Sequence, residues 1–391
     1  MMENKLMKTN ASKTQLGLCA LLAMCWSAPA FQVPGGSTGA DGDLNVTANT
    51  TLTLPDDGVF NFGSINVDPG VTLTFTRNAN NTPVYLLATN DVTIAGTIDV
   101  SGSVGVGVSG GSGGPGGGNG GNGFSLGLLP GAGQGPGGGR PGTTGEGPES
   151  AGSGSYGNQG SSSSTNRGAV YGTSLSVPLV GGSGGAGNSG GWPGGGGGGG
   201  ILICSDTTLG LTGTIRANGG GGFGGNNGGS GGAIRLLAPV ITGTGTVQAS
   251  GGGTAGYGSA PGGGRIRIDA YDFSGATFNS GGMASQGAFV VARLVPEPRL
   301  DIVKVGDTNI VLGSGPVDII FPTDSPISQT VSVRAEHFNA VVPIEIVLKP
   351  VNGDTVTYTN SVDNSVQNPA TNNIPVDLPG NTVVHVEVFK R

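Results

Sequence analysis

The stretch "ILICSDTTLGLTGTIRANGG", residues 201–220, decides how the chain is read. A short apolar strand runs into a polar bend, a second short strand follows, and glycine closes the unit. The same plan recurs in "YLLATNDVTIAGTIDVSGS" from Tyr85, "IRLLAPVITGTGTVQASGG" from Ile234 and "IRIDAYDFSGATFNSGG" from Ile266. The units at Ile201, Ile234 and Ile266 start 33 and 32 residues apart. Regular recurrence of strand and bend is what stacked coils require, each burying its inward side chains on the last. Aligning the second strands gives three columns. Thr97, Thr214, Thr246 and Thr277 form one, Ile98, Ile215, Val247 and Phe278 the next, and Asp99, Arg216, Gln248 and Asn279 the third. Period-two alternation turns the apolar column inward and both polar columns outward. The expected fold is all-β: a glycine-rich parallel β-helix, or solenoid, beginning near Asp41.

Between the first unit and the second lies a glycine-rich insertion at about 101–200, with tracts such as "GGSGGPGGGNGGNG". Glycine and small residues alternate there at a period near three, that of the polyproline II helix. Side-by-side polyglycine packing is therefore one reading. A solvated excursion is the other, favoured for "GSGSYGNQGSSSSTNRG", because Gly/Ser-rich segments of low complexity are usually flexible. The run 194–200, seven glycines before "ILIC", is not a phosphate loop. Such a loop needs Gly-Lys-Ser/Thr opening a helix, and this run opens a strand without a lysine.

After "VPEP" at 295–298 glycine falls away and longer strand-like segments appear, among them "RLDIVKV", "TVSVRAEHF", "VPIEIVLKP" and "TVVHVEVFK". These segments and their Pro/Asn/Gly turns predict an immunoglobulin-like β-sandwich over 297–391. Pro296 and Pro298 would stiffen the linker from the solenoid of 31–296.

The N-terminus reads as an export signal over 1–30. Lys5, Lys8 and Lys13 precede "LGLCALLAMCW", and small residues at Ala28 and Ala30 suit cleavage after Ala30. The apolar run is shorter than the roughly 20 residues a bilayer span needs. A secreted or cell-surface location is expected, without a membrane span once the signal is removed. Formal charge is −7 for the whole chain, and cleavage would leave 14 basic and 23 acidic residues. That balance excludes nucleic acid, whose phosphates demand a basic footprint. Cys19 and Cys25 would leave with the signal, and Cys204, left without a partner, reads as a small buried hydrophobe.

Chemistry is thinly represented. The two histidines, His337 and His385, both fall in the predicted sandwich, on strand-like segments. A polysaccharide lyase or glycosidase would need clustered carboxylates or a base beside acids. Asp99 with Arg216, and Arg265, Arg267, Asp269 and Asp272 on the last coil, are the candidate sets; a charged exposed edge that deters aggregation explains them equally. Asp41, Asp43 and Asn45 in "DGDLN" offer alternate calcium ligands. Val46, however, replaces the glycine that a calcium loop places sixth, and the acid expected at the twelfth position is missing. No other cofactor is indicated. Thr212 with Thr214, and Thr244 with Thr246, suggest a flat outward threonine face, interrupted by Asp99 and Arg216.

The stretch "LPDDGVFNFGSINVDPGVTLTFTRNANNTPVYLLATNDVTIAGTIDVSG" (54–102), followed by glycine tracts, "GGGGGGGILI" and "GGRIRI", resembles a family of uncharacterised secreted glycine-rich bacterial proteins. It is more loosely similar to the β-helical repeats of filamentous haemagglutinin-type adhesins. The resemblance covers roughly 40–290 and implies export and a surface role; it brings no catalytic residues with it. The expected function is an exported structural or adhesive protein without catalytic activity. Extracellular polysaccharide, surface proteins or self-association would supply its partners. The alternative is a polysaccharide-binding or polysaccharide-degrading β-helix.

Overall fold

The computed structural model describes residues 36–126, 129–141, 151–160, 166–222, 227–253, 260–274, 282–287, 298–312, 317, 319–321, 325–350, 355–378 and 383–391. The expected signal over 1–30, the register partners Thr277, Phe278 and Asn279, and Pro296 lie outside them. Val33–Arg391 forms one compact unit.

Each coil carries three short strands where the repeat comparison recognised two. The first has β1 (Leu44–Val46), β2 (Thr50–Thr53) and β3 (Val59–Phe62); the second β4 (Ile65–Val67), β5 (Thr72–Thr76) and β6 (Val84–Ala88). The third has β7 (Val92–Ile94), β8 (Thr97–Asp99) and β9 (Gly200–Ser205). The fourth has β10 (Thr208–Leu211), β11 (Thr214–Arg216) and β12 (Ala233–Leu237). The fifth has β13 (Val240–Thr242), β14 (Thr246–Gln248) and β15 (Arg265–Asp269), and β16 (Asp272–Ser274) and β17 (Met283–Gly287) follow. The strands that escaped the comparison are β7, β10 and β13, because only two or three residues, Ala95 and Gly96 after β7, separate each from the next. Equivalent strands pair in parallel into three sheets, β1-β4-β7-β10-β13-β16, β2-β5-β8-β11-β14 and β3-β6-β9-β12-β15-β17, a winding consistent with the expected β-helix.

The register matches the sequence reading where it is described. Thr97, Thr214 and Thr246 align, as do Ile98, Ile215 and Val247, then Asp99, Arg216 and Gln248. The isoleucines and Val247 are fully buried inside the coils with Val84, Leu86, Ile201, Ile203, Ile234 and Leu236. Strands β6, β9 and β12 are buried on both faces, which is why they read as unbroken apolar runs rather than alternating ones. Their outward side chains Leu87, Leu202, Cys204 and Leu237 form a second cluster with Tyr156, Leu179, Tyr171 and Val180 of the insertion.

The glycine-rich excursions all leave from one corner, between the second strand of a coil and the third. They run from β8 to β9, from β11 to β12 and from β14 to β15. Coils stack in register, so their excursions stack too. The insertion is thus one of a set, and its described parts are packed, which corrects the solvated reading of "GSGSYGNQG": Ser153, Ser155 and Tyr156 are buried.

Tract 194–200 shows how. Gly194, Gly197 and Gly200 donate to the carbonyls of Gly121, Gly118 and Pro115; Gly195 and Gly198 to Asn227 and Ser230; Gly196 and Gly199 to Ser103 and Val100, at 2.8–3.1 Å. Every third amide addresses the same neighbour, as a helix with three residues per turn requires. In return the tract accepts from Gly111 and Gly114, Gly185 and Gly182, and Gly220. Segments approach so closely that a Cβ on Gly195 would sit 1.9 Å from the Gly220 carbonyl oxygen, and one on Gly196 2.1 Å from that of Ser112. Only glycine permits this packing, and the backbone amides, with few side chains present, are satisfied segment to segment.

Beyond the coils stand two antiparallel sheets. One orders β18 (Arg299–Val305), β19 (Thr308–Asn309), β20 (Ser328–Glu336) and β23 (Ala370–Asp377) as β19-β18-β20-β23. The other orders β21 (Val341–Pro350), β22 (Val356–Asp363) and β24 (Val384–Lys390) as β22-β21-β24. Val331, Val333, Ile344, Ile346, Val362 and Ile374 fill the core they share.

Candidate functional site

The residues singled out for chemistry do not converge on one site. Asp99 and Arg216 are register neighbours on the outward face of the second sheet, where the Asp99 carboxylate accepts from the Ser101 amide at 2.8 Å. Arg265, Arg267 and Asp269 lie on the third sheet, whereas Asp272 is exposed at the start of β16 on the first. Asp41 accepts from the Asn61 amide at 2.6 Å and Asp43 from the Ser64 hydroxyl at 2.9 Å, so both calcium candidates cap the neighbouring coil; Asn45 is exposed on β1. Among the described residues no group of three or more His, Cys, Asp or Glu side chains could hold a metal ion.

Within the last-coil set, Arg267 and Asp269 are not part of the exposed charged edge that was one reading of the sequence, whereas Asp272 is exposed. Asp269 is 1% exposed, Arg235 2% and Arg267 8%, because the insertion covers this face. One Asp269 oxygen takes Arg235 Nη2 at 3.0 Å and Nε at 3.2 Å; the other takes Arg267 Nη2 at 2.7 Å and Nε at 2.9 Å. Arg235 and Arg267 are cross-strand partners, and the carboxylate clamps both. Arg265 donates to the Tyr171 carbonyl at 2.8 Å and lies 5.6 Å from the centre of the Tyr156 ring. Arg265 ties the insertion to the coils, and Arg235, Arg267 and Asp269 are engaged with one another. Sequence reasoning missed Arg235, whose signal was a lone charge inside the apolar run "IRLL". Cys204 is buried as expected, and burial raises its thiol pKa well above the ordinary value, which disfavours the thiolate.

Two features of the surface remain. The first is the far end of the glycine bundle. Here a two-residue hairpin turns at Gly107 (φ +62°) and Val108, with Val106 and Ser109 exchanging both backbone hydrogen bonds. Gly123 donates to Val108, Phe124 to Asn188 and Asn188 to Trp192, while Gly105 donates to Gly221. These bonds gather the turns into one surface that exposes Val104, Val106, Val108, Phe124, Leu126 and Trp192. Leu126 is 98% exposed and Val106 67%. Its exposed apolar residues belong to stretches 100–139 and 178–205, which contain no charged residue. Apolar side chains exposed together on one end are more than the scattered single apolar residues of an ordinary surface. No periodic signal could reveal it, because its members are single apolar residues scattered through glycine.

The second is a cleft of about 240 Å³ between the bundle and the three-stranded antiparallel sheet, bordered by Arg140, Gln159, Arg167, Glu345, Lys349 and Thr357. Lys349 at its edge donates to Glu387 at 2.6 Å and to the Gly135 carbonyl at 3.2 Å. Burial works to raise the Glu387 pKa, but Lys349 and the adjoining His385 overcome it and hold the carboxyl at about 2. His385 lies 3.3 Å from Glu387, and His337 pairs with Asn368 at 2.9 Å on the other sheet, so the two histidines share no site.

No family model, curated protein or solved structure matches the chain.

Proposed function

We propose that this chain is an exported structural or adhesive protein without catalytic activity, in which coils and glycine bundle form a stiff carrier and the bundle's apolar end makes contact. Kinship with the secreted glycine-rich bacterial proteins belongs to the same proposal, as does an immunoglobulin-like docking role for the two antiparallel sheets. The observation that carries the reading is the charge-free apolar end, held up by backbone packing that leaves its side chains nothing structural to do. Partners would be surface proteins, extracellular polysaccharide or further copies. Among the described residues no helix is long and apolar enough to cross a membrane, which suits a peripheral role.

The test is attachment. Cells displaying the protein should bind their surface and build biofilm, and the combined Val106→Ser, Leu126→Ser, Trp192→Ser variant, displayed in equal amount, should lose both. Undiminished attachment would sink the adhesive role.

The cleft favours a second reading, recognition of an acidic polysaccharide through Arg140. Purified protein would then retain alginate or pectin, and Arg140→Ala would weaken retention several-fold; release of sugar fragments would move the protein among the degrading enzymes.

A further inference from the structure

The apolar end also constrains its partner. We infer that it docks on the acyl-chain boundary of a neutral lipid surface, an inference that rests on the reading of this end as the contact surface. Three observations point there. Its exposed apolar residues stand in stretches without charge, 100–139 and 178–205, so this end offers nothing for the electrostatic recognition of phosphates, uronates or a charged protein face. What it exposes is valine, leucine and phenylalanine beside one indole, the set that buries aliphatic groups below the headgroups and leaves tryptophan at the boundary. The side chains stand out from turns, as Leu126 and Val106 show, and a fluid acyl layer receives protrusions without needing a matching pocket. The rest of the molecule is acidic, which disfavours anionic headgroups and leaves neutral ones.

The chain supplies its own reporter. Trp26 precedes residue 33 in the sequence, so a protein of residues 33–391, which keeps the apolar cores of the described residues, has Trp192 as its only tryptophan. Phosphatidylcholine vesicles should carry this protein upward in flotation equally at low and high ionic strength, with Trp192 emission shifting to the blue. Leu126→Ser with Val106→Ser should lower partitioning at least about tenfold at an unchanged melting temperature. Binding confined to anionic vesicles and abolished by salt would overturn the inference. So would no flotation with a steady Trp192 spectrum; dimerisation in sedimentation, reversed by the same substitutions, would then assign the patch to a second copy. If attachment falls in the serine variant while vesicles stay unbound, the contact reading stands and the lipid is wrong. If vesicles bind but attachment is untouched, the adhesive role fails alone.

Discussion

Gly196 and Gly253 have the same side chain and opposite tolerances. A Cβ on Gly196 would meet the Ser112 carbonyl oxygen at 2.1 Å, with backbone on every side; around Gly253 nothing lies within 4 Å. Gly196→Ala should therefore cost about 3 kcal/mol or more, while Gly253→Ala should be neutral or stabilising by up to about 1 kcal/mol through the unfolded chain. Paired denaturant titrations check this. Glu387 makes a different demand. Its carboxyl is held at about 2 against an ordinary 4.5, so it contributes stability above pH 4.5 that is lost as pH falls through about 2. Thermal melts across that window should drop by the equivalent of about 3 kcal/mol, and Glu387→Gln should flatten the drop.

Elements behave here according to what they pack against rather than what they are made of. Tract 194–200 would exchange its amide hydrogens almost at once if it were a flexible loop. Bonded on all sides by other backbones, it should exchange as slowly as the buried strand β9, which hydrogen-exchange mass spectrometry resolves. Asp269 shows the same dependence in a strand. Asp269→Asn would leave Arg235 and Arg267 facing each other in a buried site, at a cost of about 3–5 kcal/mol in unfolding free energy. Alternation in "GTIDV" and "GTIRA" disclosed which residues face inward, because one face of those strands meets solvent. The "IRIDA" strand has a covered outer face, and nothing local to it announces that cover, so its charges read as exposed.

The molecule as a whole separates scaffold from contact. Stability resides in the coils, the covered third sheet and the glycine bundle, whereas Leu126 and Val106 extend from the bundle's end. Serine at those positions should leave the unfolding free energy within about 0.5 kcal/mol of the parent, so a loss of attachment would be a loss of contact rather than of folding. Calorimetry on the serine variants measures this directly.

Sequence by itself determined two of the three strands in each coil, their spacing and the inward column of Ile98, Ile215 and Val247, because coil-to-coil pairing repeats a local pattern at nearly constant intervals. It also carried the three-residue glycine period. Only the tertiary structure decided that the glycines pack, that an arginine pair shares a buried aspartate, and that isolated valines, a leucine and a tryptophan meet at one end. Each of these depends on excursions from successive coils leaving at one corner and bonding backbone to backbone, a long-range register that no window of residues contains.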